Sequence, residues 1–545
     1  MFAYRFESGF RILAILFCIA LMTTLFSDPG VAGESEEKDA STAKVPSDSK
    51  ETHKDGRKGG DKGSKEVSGQ KDPAEKSSVT THVVQIGGKD FEYTATAGTI
   101  VLNDEKEKPA AEFFYVAYTL NGLDDLSQRP LTFAFNGGPG SASVWLHMGA
   151  LGPRRVLLQE DGSPLPPPAR IVDNEFSILD LTDLVFIDPV TTGYSRAHPL
   201  DTAKKFHGVT SDIESVGDFI RLYTTRKGRW LSPKFVAGES YGTTRAAALA
   251  KYMADRHGLF FNGVMLISAI LNFQTARFDA GNDLPYILFF PTYTATGWFH
   301  NKLPKRYQDM SLSGVLEEAQ AFADEEYRLA LAQGGRLGDK ARQRVVGRYA
   351  ELTGLSPTYV DRSDLRVEPF RFFKELLRDQ GLTVGRMDSR LTGFDRDRAG
   401  EHPEFDPSLS PYIGPYTAAL QHHIRQTLKF ESDRPYEILT GKVQPWKWDS
   451  WSNRYLNVAE DLREALSVVR GMDVFVASGY YDLATPYFAT DYTIDHLGGP
   501  AELRSRFTVA YYEGGHMMYN RLSELKKFKA DAARWFELAM KSSID

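Results

Sequence analysis

Five residues, Gly238-Glu239-Ser240-Tyr241-Gly242, stand between an apolar run ending in Phe235-Val236-Ala237 and an alanine-rich stretch, Thr244 to Ala254, that reads as helix. A chain that passes from a buried strand into a helix through so few residues has to turn sharply, and the flanking glycines permit it. In such a turn the Ser240 hydroxyl is lifted above the sheet, and the start of the helix points backbone amides at the space above it. On its own the pattern is weak, because G-x-S-x-G also fits an ordinary surface turn. What it demands is a set of partners elsewhere in the chain: a base, a carboxylate to orient it, and donors for a developing anion.

Each partner has a candidate. Asp473 to Gly479 reads as a buried strand, and Tyr480-Tyr481-Asp482 puts a carboxylate in the loop just past its end, where open α/β sheets keep their reactive groups. Phe507 to Tyr512 is a further strand pattern, followed by Glu513-Gly514-Gly515-His516-Met517, in which the glycines let the backbone present an imidazole over the sheet edge. Ser240 would then attack a carbonyl carbon. His516 would take and return the proton, while Asp482 held the imidazole tautomer. Upstream, the apolar Phe133-Ala134-Phe135 breaks into Asn136-Gly137-Gly138-Pro139-Gly140. The backbone N–H of Gly138 and that of Tyr241 are the expected oxyanion donors. A phosphate-binding loop would need a lysine and a hydroxyl residue that this glycine segment lacks.

With those motifs in order, the chain resembles the serine carboxypeptidase family of α/β-hydrolases. The resemblance is carried by Asn136-Gly137-Gly138-Pro139-Gly140, Leu151-Gly152-Pro153, Asp188-Pro189-Val190 with Gly193-Tyr194-Ser195, Gly238-Glu239-Ser240-Tyr241-Gly242, the Asp482 loop and Gly515-His516-Met517. It implies a mostly parallel central sheet flanked by helices, with an inserted, largely helical cap. It implies Ser240, Asp482 and His516 as the triad, Gly138 and Tyr241 as the oxyanion hole, Asn136 and Glu239 as binders of the substrate's terminal carboxylate, and Met517 as a contact to the leaving residue. Release of C-terminal residues at acidic pH, with peptide as substrate, is the activity it implies. Two carboxyl groups side by side repel unless one is protonated, so Glu239 is expected to carry a proton and lose it as pH rises. The alternative for Glu239 is a pairing with a nearby cation or a cap on the helix.

Ala134 and Ala150 depart from the family pattern. Eukaryotic members typically carry tryptophan and glutamate there, within the carboxylate-binding network, and Asp188-Pro189 lacks the glutamine they insert. The chain thus looks like a divergent, bacterial-type branch. A broader acyl hydrolase on the same triad, an esterase or acyltransferase, is the second reading. A non-catalytic binding protein tethered to the envelope is the third, although binding alone needs no such constellation.

The remaining sequence concerns organisation. Arg5 and Arg11 precede a mostly apolar stretch, Ile12 to Phe26, and then small residues around Val31-Ala32-Gly33, the pattern of an export signal over 1–33. If uncleaved, it would anchor the protein to the envelope. The lone Cys18 lies inside it, so the mature enzyme would have no cysteine and no disulfide. From Glu34 to Thr80 there is no Phe, Tyr, Trp, Leu, Ile or Met. Such a segment cannot bury a core, and 34–82 is read as a disordered tether. The hydrolase core is expected over 83–275 and 436–545, with the cap at 276–435. Aromatic residues at Tyr286 to Tyr293 and Tyr412 to Tyr416 could line the cleft under that cap. A net charge of -7 offers no basic face for nucleic acid. His422 and His423 are adjacent on a helical stretch and form no metal pattern, and no cofactor or metal is expected.

Overall fold

The computed structural model describes residues 73–541. The export signal and the greater part of the tether lie outside the described residues. The end of the tether does not behave as one: β1 (Ser77–Ile86) pairs antiparallel with β2 (Lys89–Asn103), register Ser77↔Gly98 to Ile86↔Lys89. Its run of valines and threonines has little bulk, yet every second side chain from Ser78 to Ile86 turns inward, which suffices for a half-buried outer strand. Gly87 and Gly88, at φ 57° and 80°, make the two-residue turn between these strands.

The remaining strands of the sheet are β3 (Pro109–Leu120), β4 (Leu131–Phe135), β7 (Asp183–Ile187), β8 (Arg196–Ala197), β9 (Lys234–Ser240), β10 (Gly263–Ala269), β13 (Asp473–Gly479) and β14 (Phe507–Tyr512). Small hairpins stand apart from it, β5 (Arg154–Val156) with β6 (Ile171–Asp173) and β11 (Leu382–Val384) with β12 (Thr392–Phe394). The sheet order is β1-β2-β3-β7-β4-β9-β10-β13-β14, with β8 on β3. Pairing is antiparallel from β1 to β7 and parallel from there to β14. A mostly parallel sheet is buried on both faces, and β4, β7 and β10 are buried along their whole length and apolar apart from Thr132, Asp183 and Ser268.

Alternation along the strands divides the core. Phe133, Phe135 and Val236 face one layer, built from α1 (Val209–Arg226), α2 (Tyr241–His257) and a helix at Ala459–Val468. Ala134, Phe235 and Ala237 face the other, where Phe528, Trp535 and Phe536 of the C-terminal helix Leu522–Lys541 pack. Tyr412, Tyr416, Leu420 and Ile424 belong to this second layer too. The segment expected as cap, 276–435, therefore divides: residues from Ala276 to Val384 form a helical core of their own, whereas the stretch around Tyr412–Phe430 packs against the sheet.

That division moves the aromatic residues expected in the cleft. Tyr286 and Tyr293 lie on a helix, Leu284–Phe299, that is apolar on every side and so is buried within the cap. Tyr293 stacks on Phe372 at 4.0 Å and donates its hydroxyl to the Val367 carbonyl at 3.1 Å. Tyr412 donates to the Gly162 carbonyl at 2.8 Å.

A polar trio is sealed into the second layer. The Tyr118 hydroxyl lies 2.6 Å from Nε2 of His147 and 2.8 Å from Nε2 of His423. Burial pushes His147 down to about 3 and, with His147 beside it, holds His423 well below its ordinary value. Unfolding exposes both rings, which then take up protons near pH 6.5. Below that pH the unfolded chain binds more protons than the folded one, and stability falls as pH drops from 6.5 toward 3. The cost is about 1.4 kcal/mol per pH unit for a single such histidine. His147→Gln, which keeps a polar atom near Tyr118, is expected to flatten the decline of Tm between pH 6.5 and 4. An unchanged Tm profile would show that other groups govern acid unfolding.

Candidate active site

β9 ends at Ser240 and α2 begins at Tyr241 with no residue between them. Ser240 takes φ 60°, ψ -130°, a conformation that costs a non-glycine residue about 1–3 kcal/mol and persists only where its surroundings enforce it. Gly238 belongs to that enforcement, since a Cβ there would lie 2.1 Å from the Gly242 carbonyl oxygen. Gly137 plays the same part across the sheet: its Cβ would sit 2.4 Å from the Tyr241 nitrogen. The glycine loop after β4 thus rests directly on the first turn of α2. Gly138 lines the cavity beside Ser240, and the Tyr241 amide, the first of the helix, has no partner within it; Tyr241 itself is not among the cavity's lining residues.

Arg245, one turn into α2, fixes this junction from below. It donates to the Asn136 carbonyl at 2.8 Å, pairs with Asp212 of α1 at 2.8 Å, and lies over the rings of Phe135 and Tyr241. The whole group is buried, which an arginine tolerates only with its donors satisfied in this way.

Asp482 and His516 come from the loops after β13 and β14 and are fully buried. His516 Nδ1 donates to Asp482 Oδ2 at 2.7 Å. The Thr485 hydroxyl donates to the same oxygen at 2.8 Å, and the backbone N–H groups of Ala484 and Thr485 donate to Oδ1 at 2.8 and 3.0 Å. These bonds hold the carboxylate in one orientation. The other ring nitrogen, Nε2, is buried without a hydrogen-bond partner, and His516 lines the same cavity as Ser240. Burial opposes the charged imidazolium, but the Asp482 carboxylate and the Glu239 carboxyl outweigh it, leaving His516 above its ordinary value.

Glu239 is buried as well. Its Oε1 accepts from Asn136 Nδ2 at 2.9 Å and its Oε2 from the Tyr519 hydroxyl at 2.6 Å, while Asn136 Oδ1 accepts from the Leu146 N–H at 3.1 Å. Its hydrogen-bond partners are therefore neutral, neither a cation nor a helix terminus. Burial pushes its carboxyl up to about 7, against the lowering effects of His516, Tyr519 and Asn136.

Asn136, Gly138, Glu239, Ser240, His516 and Met517 all line one cavity of about 120 Å³. Asp482 stands behind His516. Apolar walls come from Trp145, Leu409, Ile413 and Leu439, and a cap strap adds Arg386 and Met387. Sequence reasoning missed Tyr519, Thr485, Arg245 and Arg386. Tyr519 had a faint signal, a hydroxyl-bearing ring one turn beyond His516 on the same loop. Arg386 had none, because it reaches the site from the insertion.

A strand-to-helix elbow, with an acid and a histidine on the next loops along a parallel sheet, defines an α/β-hydrolase. Residues 90–280 match the family model described as serine carboxypeptidase. Over that segment the chain is similar to the serine carboxypeptidase family. The pheromone-processing carboxypeptidase KEX1 of Saccharomyces cerevisiae is 32% identical over 145 residues, 25% of this chain and 19% of the relative. Serine carboxypeptidase-like 36 of Arabidopsis thaliana is 27% identical over 188 residues, 34% of this chain and 36% of the relative. The chain thus spans about a fifth to a third of the length of these relatives. Among solved structures, the prohormone-processing carboxypeptidase KEX1 of the same yeast shares 17% identity, with 81% of this chain and 91% of that chain covered and a TM-score of 0.47. A proline iminopeptidase of Mycobacterium smegmatis shares 14%, covering 85% and 100%, with a TM-score of 0.34.

Proposed function

We propose that this protein is an exported serine carboxypeptidase, releasing C-terminal residues from peptides through an acyl-enzyme on Ser240. The observation that carries the reading is the buried Glu239, joined to Asn136 and Tyr519 beside Ser240. A neutral carboxyl group there can donate to a substrate's terminal carboxylate, and a serine hydrolase acting on neutral esters has no use for one. Ser240 Oγ attacks the carbonyl carbon of the last peptide bond as His516 Nε2 takes its proton, and the tetrahedral oxyanion lies against the Gly138 and Tyr241 amides. His516 returns the proton to the departing amine, the C–N bond breaks, and water repeats the sequence to free the acyl group. Met517 contacts the leaving residue. Recognition of the peptide's free terminal carboxylate is favoured at acidic pH, where Glu239 is protonated, until His516 takes up a proton.

The broader acyl-hydrolase reading rests on Ala134 and Ala150, both buried alanines. One experiment separates the two: hydrolysis of an N-blocked dipeptide against its C-terminal amide, from mildly acid to mildly alkaline pH. A carboxypeptidase prefers the free acid by at least roughly tenfold at pH 5, the worth of one buried hydrogen bond to a charged group, and loses that preference above pH 7. Equal cleavage of acid and amide at every pH would replace it with the broader reading.

A further inference from the structure

The cap strap that follows β11 is tied to both catalytic loops. The Met387 carbonyl accepts from the His516 N–H at 2.5 Å, and the Arg386 carbonyl from the Leu483 N–H at 3.0 Å. From the other side, Asp406 Oδ1 accepts the Arg386 N–H at 3.1 Å, and the Ser408 hydroxyl oxygen accepts the Met387 and Asp388 N–H groups at 2.9 and 3.0 Å. Gly515 leaves no room for slack, since a Cβ on it would lie 2.2 Å from the Met387 carbonyl oxygen. The strap therefore stays in place and presents Arg386 and Met387 to the cavity.

Among the described residues that line this cavity, Arg386 is the one Lys or Arg, and Glu239 the one Asp or Glu. The guanidinium feels the charges of Asp406 and Asp482, and its own positive charge acts on His516. Arg386 lines the cavity together with His516 and Met517, beside which the departing residue lies in the mechanism proposed above. Apolar Met387, Met517, Leu409 and Ile413 line the same cavity, with Ser410 and Gln444 as uncharged polar members of its lining.

We infer that Arg386 takes the side-chain carboxylate of the leaving residue, so that the preferred substrates end in glutamate or aspartate. The inference rests on the carboxypeptidase reading. Such a terminal residue brings two negative charges into a cavity that already contains a carboxyl group. A neutral Glu239 and Asn136 accommodate the main-chain carboxylate through hydrogen bonds, but a second carboxylate needs a counter-charge, and Arg386 supplies it with a planar fork of donors. A C-terminal lysine or arginine meets a like charge in the same place and is disfavoured, while leucine falls between.

The test compares N-blocked dipeptides ending in Glu, Leu and Lys. In the wild-type full-length protein, kcat/KM is expected to favour Glu over Leu by about tenfold, and over Lys by more, as one charge-assisted hydrogen bond would give. Equal rates for the three, or a preference for Lys, would overturn the inference without variants. Arg386→Met should reduce the Glu-to-Leu ratio to near one, Arg386→Lys should restore part of it, and Arg386→Glu should turn the preference toward Lys. A ratio that stays at the wild-type value in Arg386→Met would also overturn it. Calorimetric binding of the same peptides to Ser240→Ala separates this from failure of the peptidase reading. Selective binding of the Glu peptide without turnover by the wild type would sink the peptidase and leave Arg386 in its role; equal binding of all three would remove that role.

Discussion

An Asp482→Asn enzyme is expected to lose about 10⁴ in kcat, with KM and Tm close to those of the wild type. The hydrogen bonds around Asp482 dictate this outcome. Its Oδ1 accepts from the Ala484 and Thr485 backbone N–H groups, so in the variant the amide oxygen must occupy that position, since an NH₂ there would face two donors. The NH₂ is thereby forced to the Oδ2 position, opposite His516 Nδ1 and the Thr485 hydroxyl. Thr485 can adapt by accepting. His516 can accept only by moving its proton to Nε2, the nitrogen that must be bare to receive the Ser240 proton. The side chain is isosteric and its neighbours remain satisfied, so substrate binding and folding change little while the base is lost. Steady-state kinetics together with thermal melts check both parts. A loss of less than tenfold in kcat would mean that Asp482 does not set the tautomer, and a collapse of Tm would mean that the carboxylate charge holds the loops together.

What could be read from the chain is what is local. The elbow follows from glycines flanking a serine between an apolar run and an alanine-rich helix, while Gly137 and Arg245, which hold its strained serine in place, come from outside the motif. Asp482 and His516 could be placed because each comes directly after a strand pattern, and parallel sheets bring such loops to one edge. The groups that tune the site were not legible. Tyr519 reaches Glu239, Arg245 holds the Asn136 carbonyl, and the strap at Arg386 grips the His516 backbone, all across distances that no periodicity encodes. How residues 276–435 divide between the helical cluster and the sheet layer was not legible for a related reason. The helix at Ser410–His422 lacks a strong apolar stripe, and only the sheet face against which Tyr416 and Leu420 pack assigns it to the core. At the other end, the valine and threonine alternation of β1 was hidden behind a charged, low-complexity segment.

Glu239→Gln should change both limbs of the pH profile, and in a manner that a structural role would not produce. In the wild type, substrate binding through a protonated Glu239 is lost as pH rises through about 7, so at pH 8 kcat/KM for a free-acid peptide stands roughly tenfold below its plateau. On the acid side the rate falls as His516 takes up a proton it must not hold. The groups are coupled: ionised Glu239 favours the imidazolium, and the imidazolium favours ionised Glu239. The observed values therefore belong to the pair, and the productive state, neutral histidine with neutral glutamic acid, competes with an ion pair of the same net charge. Glutamine is neutral at every pH, keeps an oxygen for Asn136 or Tyr519, and offers an N–H to the substrate. Its alkaline limb should vanish, so that the variant overtakes the wild type above pH 8. Removal of the negative charge also lowers His516, and the acid limb should move to lower pH. For the amide-capped substrate, which has no terminal carboxylate to repel, the alkaline fall should be absent in both enzymes. If the free-acid profile of Glu239→Gln keeps its alkaline limb, the group that titrates there is another one, and the proton on Glu239 has no part in recognising the peptide's end.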